Sequence, residues 1–248
     1  MPTNHDGGVF QKVVRTKWQD IYQQLRERIL RGELKPGQAF PTNFELMKEF
    51  NAHAATVQNA VNALIREGLV FSEENTTKKR TVRSIPYRSH RRGDFIREHH
   101  DISNEMIIQL KIIEHEEELP QSIRTQIQPP VLFSHTQQLR DEMIVTIARS
   151  YITNILPLDK LQSRLEKSHA MLYRTMKTLG FRSLICDETL VSDLPSPNET
   201  DELQIPKNTT IPIVRIQRKV FDHREQLLQI CWMINRADCY EFQYRFRL

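Results

Sequence analysis

The sequence predicts an α+β protein of two domains, and three observations carry that reading. Its 248 residues exceed what one average core encloses, at roughly 100–200 residues per domain. Apolar residues recur at helical spacing in the first quarter of the chain and at strand spacing towards its end. Charge is also uneven: residues 1–92 hold 16 Lys and Arg against 9 Asp and Glu, while the remainder holds 19 against 22. A basic head on a mildly acidic body suits a polyanion-binding domain joined to one with another task. The expected layout is a disordered tail over 1–13, a first domain over 14–84, a linker over 85–100 and a second domain over 101–248.

Trp18, Ile21, Tyr22, Leu25, Ile29 and Leu30 follow the i, i+3, i+4, i+7 pattern and predict a helix over 17–31 that Gly32 ends. Lys35-Pro36-Gly37 makes a turn, because Pro presets φ and Gly admits positive φ. The Thr42 hydroxyl caps a short helix over 43–50, with Phe44, Leu46, Met47 and Phe50 towards a core. A third helix over 54–67 turns Val57, Ala60, Val61 and Leu64 inward and leaves Ala55, Gln58, Asn59, Asn62 and Arg66 outside. Strands over 69–73 and 80–84 flank a polar, basic stretch that contains Lys78 and Lys79. Three helices followed by a hairpin is the winged helix-turn-helix arrangement, whose third helix enters the major groove of DNA.

From 85 to 100 the composition shifts to Pro, Tyr, Ser, His and Arg, which reads as a linker. The second domain then predicts a hairpin over 130–139 and 142–153, and a helix over 167–179 stopped by Gly180. A strand over 182–194, a short helix over 197–203 capped by Ser196, a hairpin over 212–222 and 226–236, and a last strand over 240–246 follow. An antiparallel sheet dominates that half.

The remaining features exclude other classes. The apolar runs are far shorter than the ~20 residues of a membrane span, and residues 1–8 lack the pattern of a secretory signal, so a cytoplasmic protein without membrane partners is expected. Cys186, Cys231 and Cys239 have no metal-binding spacing and read as reduced thiols. No nucleophile–base pair, metal motif or phosphate-cradling loop stands out, so neither an enzyme nor a cofactor is expected.

The run Ile21-Tyr22-Gln23-Gln24-Leu25, then residues 29–37 with Gly32, Pro36 and Gly37, then Pro41 with Glu45-Leu46, Thr56-Val57, and Glu67-Gly68-Leu69-Val70 resembles the DNA-binding domain of GntR-family transcriptional regulators. The resemblance implies a homodimer on double-stranded operator DNA. It implies contacts from Thr42, His53, Ala55, Thr56, Gln58, Asn59, Asn62, Lys78, Lys79, Arg80 and Arg83. Where the family commonly has arginines, this chain has Phe44, Ala54 and Gln58. Arg-to-guanine reading is therefore replaced by amides that suit adenine, and an A·T-leaning operator is expected. Lys78, Lys79, Arg80 and Arg83 would hold phosphates and make binding salt-dependent.

Residues 203–206, 213–218 and 235–242 look like the closing portion of the UTRA effector domain of the HutC subfamily, which has the chorismate lyase-like fold. That resemblance implies a small-molecule effector, with Gln229, Arg236 and Tyr240 at the family's contact positions; Arg149, Ser150 and Tyr151 are the nearest anion-binding candidates. The serine usual on the central helix is Ala170 or Met171 here, and no arginine stands at 136–138, where sugar-phosphate sensors grip their ligand. Either the effector is of another kind, or the domain serves mainly in dimerisation. The alternative to a sequence-specific regulator is a dimeric interaction protein with a degenerate DNA-binding domain.

Overall fold

The computed structural model describes residues 15–72, 80–83, 89–91, 104–140, 143–167, 171–181, 184–206 and 208–242. Contacts divide the chain into two units, Met1–Ser84 and Ile85–Leu248. Lys78 and Lys79 lie outside the described residues, as do the predicted tail and residues 243–248 of the predicted last strand.

In the first unit, α1 (Lys17–Leu30), α2 (Asn43–Glu49) and α3 (Ala54–Arg66) precede an antiparallel hairpin of β1 (Val70–Ser72) and β2 (Arg80–Val82). Gly32, at φ +75°, takes the left-handed conformation that closes α1. Thr42 caps α2 reciprocally: its hydroxyl accepts from Glu45 N at 3.3 Å, and Glu45 Oε2 accepts from Thr42 N at 2.7 Å. Ile21, Leu25 and Ile29 of α1 are buried with Leu46 of α2 and with Val57, Ala60, Val61 and Leu64 of α3. Each buried Val, Leu or Ile side chain contributes about 1.5–3 kcal/mol. Beside this core, Tyr22 Oη donates to Glu67 at 2.6 Å and Arg26 Nε donates to it at 2.8 Å, tying α1 to the end of α3.

Phe44 departs from expectation. It is 64% exposed, with Lys48 Nζ 4.3 Å from its ring centroid. At 100° per residue Phe44 and Leu46 lie on nearly opposite sides of α2, and burying Leu46 turns Phe44 outward.

The second unit is built on a six-stranded, wholly antiparallel sheet in the order β4-β5-β6-β9-β8-β7. Its strands are β4 (Asn104–Ile113), β5 (Val131–Arg140), β6 (Met143–Thr153), β7 (Ile185–Asp193), β8 (Ile213–Phe221) and β9 (Leu227–Arg236). Within the stretch read as linker, β3 (Ser89–Arg91) pairs in parallel with β10 (Tyr240–Phe242). A 3-10 turn (Glu116–Glu118) and α4 (Gln121–Arg124) connect β4 to β5. Then α5 (Leu158–Leu165) and α6 (Leu172–Thr178) follow β6, and α7 (Pro197–Glu202), capped by Ser196, follows β7. The helix expected over 167–179 therefore starts later, at Leu172, after a separate helix that the sequence reading did not contain.

Both faces of the sheet centre are covered. Leu132 and Ile152 pack with Leu156, Leu161, Leu165 and Met176 beneath α5 and α6. Their strand neighbours Val131, Phe133 and Tyr151 pack with Ile113, Leu119, Ile123 and Ile127. Near the other end of β6, Ile144 and Ile147 cluster with Leu203, Ile205, Ile211, Ile213 and Ile234. Among the described residues no helix is long and apolar enough to cross a membrane.

Candidate functional site

The outer face of α3 is polar and open. His53 stands at its N-cap, and Ala55, Gln58, Asn59, Asn62 and Arg66 are exposed, with Thr56 half-buried. Three amides and one guanidinium join in a row. Arg80 Nη2 on β2 donates to Asn43 Oδ1 at 2.7 Å, and Asn43 Nδ2 donates to Gln58 Oε1 at 2.6 Å. Gln58 Nε2 then donates to Asn62 Oδ1 at 2.7 Å. Asn43 was not among the expected contacts; it sits one residue after the Thr42 cap, which gives no sequence signal beyond a first-turn polar residue. The Thr42 hydroxyl is spent on capping, and Arg83 Nη1 donates to Gly68 O at 3.4 Å, joining the residue after β2 to the second residue after α3.

The second unit holds a cavity of about 70 Å³ between α5 and α6 and the sheet. Its floor is made of residues on alternate positions of the central strands, small or polar except for Met233: Ser134, Thr136 and Gln138, Ala148 and Ser150, and Gln229, Cys231 and Met233. Leu165, Leu172 and Tyr173 roof it, and Arg218 enters from β8. Arg218 is buried and pairs with Glu188 at 2.6 Å. Burial opposes its charge, but Tyr173 and Glu188 outweigh burial and raise its pKa. Burial likewise pushes the Tyr173 phenol up, so it stays a neutral donor. From this pair hydrogen bonds run inward: Arg218 Nη1 donates to Tyr173 Oη at 3.3 Å, Tyr173 Oη to Gln229 Oε1 at 2.8 Å, and Gln229 Nε2 to Ser150 Oγ at 2.9 Å.

Of the six expected effector contacts, the structure brings Ser150 and Gln229 together in this cavity and separates the others. Arg149, Ser150 and Tyr151 are consecutive on β6, and a strand sends consecutive side chains to opposite faces. Arg149 accordingly binds Glu202 of α7 on the far face, at 2.5 and 2.7 Å. His135 Nε2 lies 3.1 Å from the same carboxylate, its pKa lowered by burial first and by Arg149 second. Tyr151 is core, with ring centroids 5.0 Å from Phe133 and 5.9 Å from Trp232. Arg236 is buried and paired with Asp238 at 3.1 Å. Tyr240 does not line the cavity but touches its wall, donating to Gln138 Oε1 at 3.3 Å and sharing a 2.5 Å bond with Thr146. Met171 is the N-cap of α6, and Ala170 lies outside the described residues.

The residue that sequence reasoning missed is Arg218. The signal was present: in Ile216-Gln217-Arg218-Lys219-Val220 the arginine falls in phase with the buried Ile216 and Val220, not with the polar positions between them. A charged residue on the apolar phase of a strand marks a buried ion pair.

The first unit is of a known kind. Residues 17–76 match the family described as bacterial regulatory proteins, gntR family, and this segment is a GntR-type helix-turn-helix domain. The Mannosyl-D-glycerate transport/metabolism system repressor MngR of Escherichia coli (strain K12) is 40% identical over 55 residues, 22% of this chain and 23% of that protein. The arabinose metabolism transcriptional repressor of Halalkalibacterium halodurans is 36% identical over 59 residues, 24% of this chain and 16% of that protein. The chain thus spans less than a quarter of either curated relative, and both are named as repressors, not as enzymes. The fold is shared more widely. PhnF from Mycobacterium smegmatis matches with a TM-score of 0.54 at 16% identity, over 92% of this chain and 99% of that one.

Proposed function

We propose that this chain is a sequence-specific transcriptional regulator of the HutC type: a homodimeric, cytoplasmic repressor that binds double-stranded operator DNA and answers to a small metabolite held in a UTRA-type second unit. The observation that carries the reading is the exposed row Gln58, Asn59 and Asn62 on the third helix of a domain matching the GntR family over residues 17–76. A helix so placed enters the major groove, and two copies related by a two-fold axis read two half-sites. Lys78, Lys79 and Arg80 supply phosphate contacts and the salt dependence that counterion release brings. The effector reading rests on the cavity beside Arg218, Tyr173, Gln229 and Ser150, which offers a charge-balanced ion pair and several hydroxyls and amides. Such a lining suits a small polar ligand better than a second strong anion.

Selection of preferred sequences from a random duplex library, at two salt concentrations, tests the reading. A two-fold-symmetric consensus that survives the higher salt is expected; salt-sensitive binding with no consensus would overturn it. Two variants refine the result. Gln58→Ala relaxes preference at one base pair per half-site, whereas Lys79→Ala weakens all sequences alike and lowers the salt slope by about one.

A further inference from the structure

We propose that the base preference of the recognition helix is set from outside it, by a hydrogen-bond relay anchored on the guanidinium of Arg80; the inference rests on the DNA-reading role of α3 proposed above. An amide side chain has a carbonyl end and an NH2 end of nearly equal shape, and either can face a base. Arginine cannot accept a hydrogen bond, and this removes the freedom step by step. Because Arg80 donates at 2.7 Å, Asn43 must present its oxygen there and its nitrogen to Gln58. Gln58 must then present its oxygen to Asn43 and its nitrogen to Asn62, whose oxygen is in turn engaged. The row ends on Asn62 Nδ2, a pure donor, on an exposed residue of the outer face.

A donor at that place pairs with base acceptors, guanine N7 and O6, adenine N7 or thymine O4, and is rejected by the exocyclic amine of cytosine. Bidentate pairing with adenine requires an oxygen and a nitrogen turned to the base together, and the relay holds the oxygens of Gln58 and Asn62 on their neighbours. Cytosine is therefore the base excluded opposite Asn62, and adenine is no longer singled out there. Neither Arg80 nor Asn43 has to touch that base, so both are positioning residues.

Asn43→Asp tests the relay by reversing it. Aspartate still accepts from Arg80 but cannot donate to Gln58, so Gln58 turns its nitrogen to residue 43 and its oxygen to Asn62. Asn62 then donates inward and ends the row on its oxygen. An acid in the first turn of α2 is favourable, which protects the fold. Arg80→Met removes the anchor and leaves both directions populated. Preferred sequences are selected for the full-length protein and both variants at one salt concentration, with folding checked by circular dichroism.

The expected result has three parts. The wild-type consensus excludes cytosine at one position of each half-site, by roughly tenfold. Asn43→Asp turns that position to cytosine or adenine, so that cytosine appears where the wild type excludes it; Arg80→Met, selected at a protein concentration raised to offset its lost phosphate contact, flattens that position while the rest of the consensus stands. Unchanged bases in both variants, under an intact wild-type consensus, overturn the relay and leave the DNA-reading role in place. A wild type with no consensus overturns both. Should Asn43→Asp lose its fold, Arg80→Met decides by the same criterion.

Discussion

Each unit carries a row of hydrogen bonds that starts at an arginine, and the two rows differ in what surrounds them. In the first, Arg80, Asn43, Gln58 and Asn62 run over a surface, from a half-buried guanidinium to exposed amides. In the second, Arg218, Tyr173, Gln229 and Ser150 run through the interior, and Glu188 balances the charge. Both use a side chain that only donates to fix the direction of every bond behind it. Water competes for each bond of the first row and for few of the second. The surface row is thus weak in stability and informative in recognition, while the buried row is strong in stability and fixes the polar lining of a cavity.

Breaking the buried row at its origin has the largest expected effect. Arg218→Met takes the guanidinium away from Glu188 in a buried site and lowers unfolding stability by about 3–5 kcal/mol, read as a lower urea midpoint. One step along, Gln229→Leu leaves Tyr173 Oη and Ser150 Oγ without their amide and costs about 1–3 kcal/mol in the same assay. Arg80→Met, on the surface row, costs under about 1 kcal/mol, and a loss as large as that of Arg218→Met would mean that the surface row is no weaker than the buried one.

Acid acts on a different part of the second unit. Glu199 of α7 is held down to about 2 by the Arg215 guanidinium, with Ser196 assisting against burial. A carboxylate with a depressed folded pKa stabilises the fold fully above its unfolded value near 4.5, and that contribution fades as pH falls towards 2. His135 is also depressed, so the unfolded chain takes up its proton first and stability falls as pH drops below 6.5. The urea midpoint of the second unit should therefore decline in two stages below neutrality, and Glu199→Gln should remove the lower one. A midpoint flat between pH 7 and 3 would contradict both assignments.

The helical unit was legible almost residue by residue because its signals are local. Helix α3 needs only the spacing of Val57, Ala60, Val61 and Leu64, and α2 needs only Thr42 and Glu45 to announce its start. The hairpins β5–β6 and β8–β9 were legible for a similar reason, since alternation and a turn lie within one short segment. Strand β4 was not. Met106, Ile107 and Ile108 are consecutive and 39–48% exposed on an edge strand, so no alternation marks its faces. The cavity was half legible: Gln229 could be carried over by resemblance and Ser150 named as a nearby anion-binding candidate, but which neighbours point with them depends on pairing across four strands. The direction of the Arg80 row was not readable at all, because it requires residues 43 and 80 to meet across 37 positions of chain.

Strand β6 places three different duties on three successive residues: Arg149 holds α7, Ser150 floors the cavity and Tyr151 fills the core. Over evolutionary time such a strand accepts substitutions one at a time but not a change of length. A single inserted or deleted codon in its middle would send the arginine to the cavity side and the serine into the opposite face. Descendants of this chain should accordingly drift in sequence along β6 while keeping its residue count, with insertions and deletions collecting in the connections around it.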